Sequence, residues 1–174
     1  MKIKKAVALF LAIILSVSVL AGCSSEPLHA KVFSREGISI TLDQSYSLRA
    51  VEGVAVCYKN KTNMVALLKE DFDEFTDMGV PTLKEYTQII IDNNYSDAKM
   101  IEEDGLFAFI IEEKIVEGKK MSYFVACYEE DGVFWIAQIG CAKNKFQKQK
   151  ENFKKYAKSV VLTDPFAEVQ ETSA

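Results

Sequence analysis

The residues that could do chemistry in this 174-residue chain are few and unevenly placed. The densest oxygen donors lie in Glu70-Asp71-Phe72-Asp73-Glu74-Phe75-Thr76-Asp77, where Asp71, Asp73, Glu74 and Asp77 could converge on a hard cation such as Ca²⁺. The spacing lacks the central glycine and final bidentate glutamate of an EF-hand. The segment is therefore expected to keep its acids in water while Phe72 and Phe75 pin it to the core. His29, the single histidine, sits in a polar stretch without rigid walls, which argues against His-dependent triads and His-bearing zinc sites. An acid–base pair drawn from Glu112, Glu113, Asp71 and Asp73 would need a cleft and shifted pKa values. No Gly-x-Ser-x-Gly elbow, phosphate loop or dinucleotide fingerprint occurs. The expectation is a non-enzymatic protein without metal or cofactor.

The remaining reactive group of note is Cys23, at the end of Leu20-Ala21-Gly22-Cys23. Ahead of it, Met1-Lys2-Ile3-Lys4-Lys5 is cationic and Ala6 to Val19 is uncharged and largely aliphatic. Lysines hold such a start on an anionic cytoplasmic face, and the apolar run is of signal-peptide length, short of the roughly 20 residues of a permanent span. The order of basic, apolar, small and cysteine elements resembles the lipobox of a bacterial lipoprotein precursor. That resemblance implies acylation of the Cys23 thiol, cleavage before it, acylation of the new amine, palmitate among the acyl groups, and a lipid-anchored position on the extracytoplasmic face of the cell membrane. Two or three acyl chains, at roughly 0.8 kcal/mol per buried methylene, hold firmly.

Charge narrows the partners. The whole chain carries −4, but residues 1–22 contain three lysines and no acid, leaving 18 basic against 25 acidic residues and a balance of −7. Such a balance does not suit nucleic acid. Lysines 143, 145, 148, 150, 154, 155 and 158 nevertheless crowd one segment with Glu151 as their acidic neighbour. Lys148, Lys155 and Lys158 are candidates for a face toward anionic lipid or an acidic partner, at roughly 1 kcal/mol per well-placed lysine. A solvated outer face accounts for the same pattern.

The elements that must position these groups can be read from period and punctuation. Residues 23–31 form a polar tether containing Pro27, whose eight residues beyond Cys23 could span roughly 25 Å. Ile38-Ser39-Ile40-Thr41-Leu42 alternates as a half-buried strand, and Tyr46, Leu48 and Ala50 continue more weakly. Val54 to Lys59 and Met64 to Lys69 flank the turn residues Asn60 to Asn63. Thr82-Leu83-Lys84-Glu85 after Pro81 is a capping box, predicting a helix with Leu83, Tyr86, Ile89 and Ile90 on one face until Asn93-Asn94. Hairpins follow around Asp104-Gly105, Glu117-Gly118 and Asp131-Gly132. A last helix is expected from Asn144 as cap, with Phe146, Phe153, Ala157 and Val160 inward. Residues 164–174, with Pro165, are expected to form a flexible tail.

Leu106-Phe107-Ala108-Phe109-Ile110-Ile111 and Val133-Phe134-Trp135-Ile136-Ala137 are apolar at odd and even positions alike, so these strands should be central and covered on both sides. Cys57, Cys127 and Cys141 lie in apolar runs and suit buried free thiols, with one disulfide between two of them left open. Trp135 is expected in the core; lining a groove with Tyr123 or Tyr128, it would instead make a ligand platform.

The element order from the Ile38 strand, through Val80-Pro81-Thr82-Leu83-Lys84-Glu85-Tyr86 and the meander with Phe134-Trp135, to Phe146, Phe153 and Ser159-Val160 resembles the PsbP-like superfamily. It covers roughly residues 32–163. The resemblance implies an α+β fold, a twisted antiparallel sheet of about 6–7 strands in a hairpin meander with helices packed on its faces. It also implies a non-catalytic accessory or binding protein, often membrane-attached, with a protein partner in an envelope complex. The alternative is a small-ligand carrier or sensor using an aromatic-lined pocket on the sheet.

Overall fold

The computed structural model describes residues 30–71, 81–95, 97–130 and 133–163. The chain divides near Ala30, and the part from Lys31 onward is one compact unit. It opens with β1 (Ala30–Arg35) and β2 (Ile38–Asp43), then β3 (Ser47–Arg49), β4 (Val56–Lys59) and β5 (Asn63–Asp71). Helix α1 (Leu83–Asn94) follows, then β6 (Ile101–Glu103), β7 (Leu106–Val116), β8 (Lys119–Glu130), β9 (Val133–Ala142), α2 (Lys143–Lys158) and β10 (Val161–Leu162).

Seven strands pair in the order β3-β4-β5-β9-β8-β7-β6, and β1-β2-β10 form a separate three-stranded sheet. The large sheet is antiparallel throughout and β9 is its middle strand. Its long strands alternate between two cores, which is why their central stretches are apolar at odd and even positions alike. Toward α2 point Val65, Leu67, Ala108, Phe124, Ala126, Trp135, Ala137 and Ile139, joined by Phe146, Phe153 and Ala157 of the helix and by Ile38, Ile40 and Leu42 of β2. Toward α1 point Phe109, Ile111, Tyr123, Val125, Cys127, Phe134 and Ile136, meeting Tyr86 and Ile91. Each inward valine, leucine, isoleucine or phenylalanine side chain contributes roughly 1.5–3 kcal/mol by leaving water.

The β1–β2, β6–β7 and β7–β8 hairpins are closed by two-residue turns with both central residues at positive φ, as at Asp104 (51°) and Gly105 (79°). That geometry matches the right-handed twist of the flanking strands and favours glycine second.

Several expectations change in detail. β1 begins at Ala30, inside the stretch expected to be tether, and pairs into a small sheet that the sequence reading omitted. α1 is closed by the expected capping box, Thr82 Oγ1 accepting from the Glu85 N–H and Glu85 Oε2 accepting from the Thr82 N–H. Its fully buried side chains are Tyr86, Thr87 and Ile91, so the stripe is rotated away from Ile89. Thr87 tolerates burial because its hydroxyl donates to the Leu83 carbonyl at 2.8 Å. α2 starts at Lys143, with Ala142 in the cap position and no side-chain cap. Ala142 is still paired with Met121 in the ladder, so β9 runs directly into the helix and Asn144 falls inside it. The Asp131-Gly132 turn lies outside the described residues.

Candidate functional site

Because β9 and α2 run in opposite directions, the C-terminal end of α2 returns to the edge where β6 turns into β7. There Lys158 Nζ donates to Glu103 Oε1 at 3.0 Å and to Asp104 Oδ2 at 2.7 Å, and Lys154 also donates to Glu103. The two ammonium groups hold the Glu103 carboxyl below the usual glutamate range, and the Asp104 and Glu103 carboxylates hold the Lys158 ammonium above the usual lysine value. Lys158 is thus occupied in fastening the helix to the β6–β7 turn. Lys148 and Lys155 are exposed on the outer side of α2. Of the three lysines proposed as a face, these two point outward with no partner among the described residues and the third is in the clamp.

Beside the clamp opens a cavity of about 500 Å³, lined by Leu83, Leu106, Tyr128, Glu130 and Lys158 among others. Cys127 also borders it, but burial pushes that thiol up to about 12, so it is no thiolate at neutral pH. Tyr128 is likewise held neutral by burial, and its hydroxyl donates to the Ala157 carbonyl at 2.8 Å. Neither group is poised as a nucleophile or base. Trp135 and Tyr123 are 4% exposed and sit in opposite cores, so no aromatic wall forms between them. Lys69 Nζ lies 5.9 Å from the Trp135 ring centroid, a cation–π contact at the rim of that core.

Glu112 and Glu113 lie together at the far end of β7, where its pairing with β8 is irregular between Ile111 and Lys114. They border a cavity of about 390 Å³ with Tyr95 and Ile110. Lys143 (2.5 Å) and Lys120 (2.9 Å) both bind Glu113 and lower its pKa, the Lys143 hydrogen bond most. A carboxylate so held is a poor proton carrier at neutral pH. Asp71 closes β5, with its side chain outside the described set; Asp73, Glu74 and Asp77 lie outside the described residues, as do Leu20 to Cys23. Among the described residues no cluster of three metal-ligating side chains forms, and no helix is long and apolar enough to cross a membrane.

All three described cysteines are free and buried. The ladder shows why: Cys141 belongs to the α2-side core and Cys127 to the α1 side. Cys57 pairs with Ala66 on the face of Cys127 but three strands away, roughly 14 Å at strand spacing, beyond disulfide reach.

The clamp escaped sequence reading because its partners are more than 50 positions apart. Only the strand order brings an Asp-Gly turn to the end of the last helix.

Neither a family model nor a curated protein sequence matches the chain. Among solved structures, the chain is similar to cyanobacterial PsbP from Synechocystis sp. PCC 6803, at 14% identity over 80% of this chain and 95% of that one, TM-score 0.54. The Ran-binding protein Mog1p of Saccharomyces cerevisiae aligns at 10% identity over 79% and 97%, TM-score 0.55. A Bacteroides thetaiotaomicron protein aligns at 12% identity, TM-score 0.56, over 79% of this chain, which spans 50% of that one. At these identities the likeness is one of fold: the architecture is PsbP-like α+β.

Proposed function

We propose that the protein is a lipid-anchored, extracytoplasmic lipoprotein whose PsbP-like domain works by binding, as an accessory in an envelope complex. The observation that carries this reading is the Leu20-Ala21-Gly22-Cys23 sequence behind a basic and apolar start. The domain supports it by what its clefts hold. The thiol beside the larger cavity is neutral and buried, the phenol there is neutral and half-buried, and Glu113 is held ionised by two lysines. Such walls suit recognition of a surface or segment better than turnover. Exposed Lys148 and Lys155 add positive charge that can meet anionic headgroups or an acidic partner.

Fractionation of cells producing the full chain and its Cys23→Ser variant tests the attachment. The natural chain is expected in the membrane pellet and resistant to high salt, since acyl insertion is not screened. The variant is expected to lack acyl label. Equal acyl labelling of both chains would overturn the reading.

A further inference from the structure

Arginine is rare in this chain: of 21 basic residues only Arg35 and Arg49 are arginines. Both line one cleft of about 410 Å³, together with Leu48, Val51, Glu52 and Val56. They reach it from different sheets. Arg35 ends β1 of the small sheet and Arg49 ends β3, the outermost strand of the large one. Between them stand the aliphatic side chains of Leu48 and Val51, open to water at 44% and 45% exposure.

Each guanidinium is only lightly engaged. Arg35 Nε lies 3.5 Å from Glu36 Oε1, with both side chains more than half exposed, a pairing that solvent screens strongly. Arg49 Nη1 donates to the neighbouring Leu48 carbonyl at 3.3 Å, which uses one of the five donors of the fork. β3 itself pairs with β4 through Ser47 and Lys59, Leu48 and Tyr58, and Arg49 and Cys57, and among the described residues has no strand on its other side. An unpaired edge beside two forks and two aliphatic side chains matches an extended peptide with alternating acidic and aliphatic residues. The edge supplies main-chain hydrogen bonds and the forks take carboxylates bidentately. A nucleic-acid chain fits less well, because no aromatic ring lines the cleft to stack bases.

We propose that this cleft docks an extended acidic segment of a partner protein alongside β3, its carboxylates on Arg35 and Arg49 and its aliphatic side chains against Leu48 and Val51. The site rests on the binding role proposed above and gives that role a partner chemistry. It is independent of lipid at Cys23.

The test uses the full chain in detergent with two fluorescent hexapeptides, one alternating glutamate and valine, the other glutamine and valine. The acidic peptide is expected to bind at least tenfold more tightly and to weaken as salt rises. Arg35→Gln and Arg49→Gln should each cost about tenfold or more at an unchanged melting temperature, since the pairs they lose are exposed. Arg49→Lys should recover only part of that loss, because lysine restores charge without the fork. Equal affinity for the two peptides, or full affinity in the doubly substituted chain, would overturn the proposal. So would binding that emerges only after residues 164–174 are removed, which would assign the cleft to the chain's own acidic segment. Cys23→Ser is expected to leave peptide affinity unchanged, so failure of the anchor and failure of the cleft give different results.

Discussion

Gly140 lies opposite Tyr123 in the β8–β9 ladder, and a Cβ at 140 would stand 2.3 Å from the Tyr123 Cδ1 atom and 3.0 Å from the Ser122 carbonyl oxygen. The ring is buried and cannot swing away freely, so Gly140→Ala is expected to cost about 1–3 kcal/mol by overpacking. A lowered urea midpoint would show it; an unchanged midpoint would mean that the ring has room elsewhere. The three core thiols give a second expectation. In the Cys23→Ser chain, a thiol reagent should modify no cysteine in the native state and three after unfolding, with no mass deficit from a disulfide. A native equivalent, or a chain two hydrogens lighter, would contradict the ladder positions of Cys57, Cys127 and Cys141. Burial of these cysteines was legible from their apolar neighbours. Their separation was not, because which face a strand residue takes depends on pairing with strands distant in sequence.

At the scale of elements, both helices owe their places to particular side chains. Tyr86 of α1 stacks on Phe134 of β9 with ring centroids 3.9 Å apart, and its hydroxyl donates to Glu70 Oε2 at 2.6 Å, tying helix, β9 and β5 together. The Thr82 cap is expected to be worth about 1 kcal/mol, read as the loss of stability in Thr82→Ala, with Thr82→Ser close to the natural chain. α2 lacks such a cap and is held at its other end by Lys154 and Lys158 on Glu103. Glu103 has its pKa lowered in the folded state, so its stabilising effect is complete above the usual glutamate range. The effect fades as pH falls through that range toward the folded value. Glu103→Gln should therefore destabilise the chain at pH 7 and make little difference at pH 2, in thermal melts at the two values. An equal loss at both would place the effect in packing. The capping box made α1 readable, since its partners are three residues apart. The start of α2 was misplaced because the strand's last ladder pair, not a polar cap, fixes where the helix begins.

For the molecule as a whole, the two-face apolar strands announced a covered central sheet, and the order of hairpins and helices pointed to the PsbP-like arrangement. The small sheet went unforeseen: β10 is two residues long, and its contacts to β2 at Ser39 and Ile38 span more than a hundred positions. Charged surfaces were less readable than the fold. The lysines of α2 were visible in sequence, but whether each faces solvent or a carboxylate was set by the return of the helix to the β6–β7 turn. Attachment through Cys23 is the central claim, because it fixes which surfaces and partners the domain can meet. Mass spectrometry of the N-terminal peptide from the membrane-extracted protein tests it most directly. The account predicts a peptide beginning at Cys23 and carrying two or three acyl chains. A peptide beginning at Met1, or one beginning at Cys23 with no acyl mass, would contradict it.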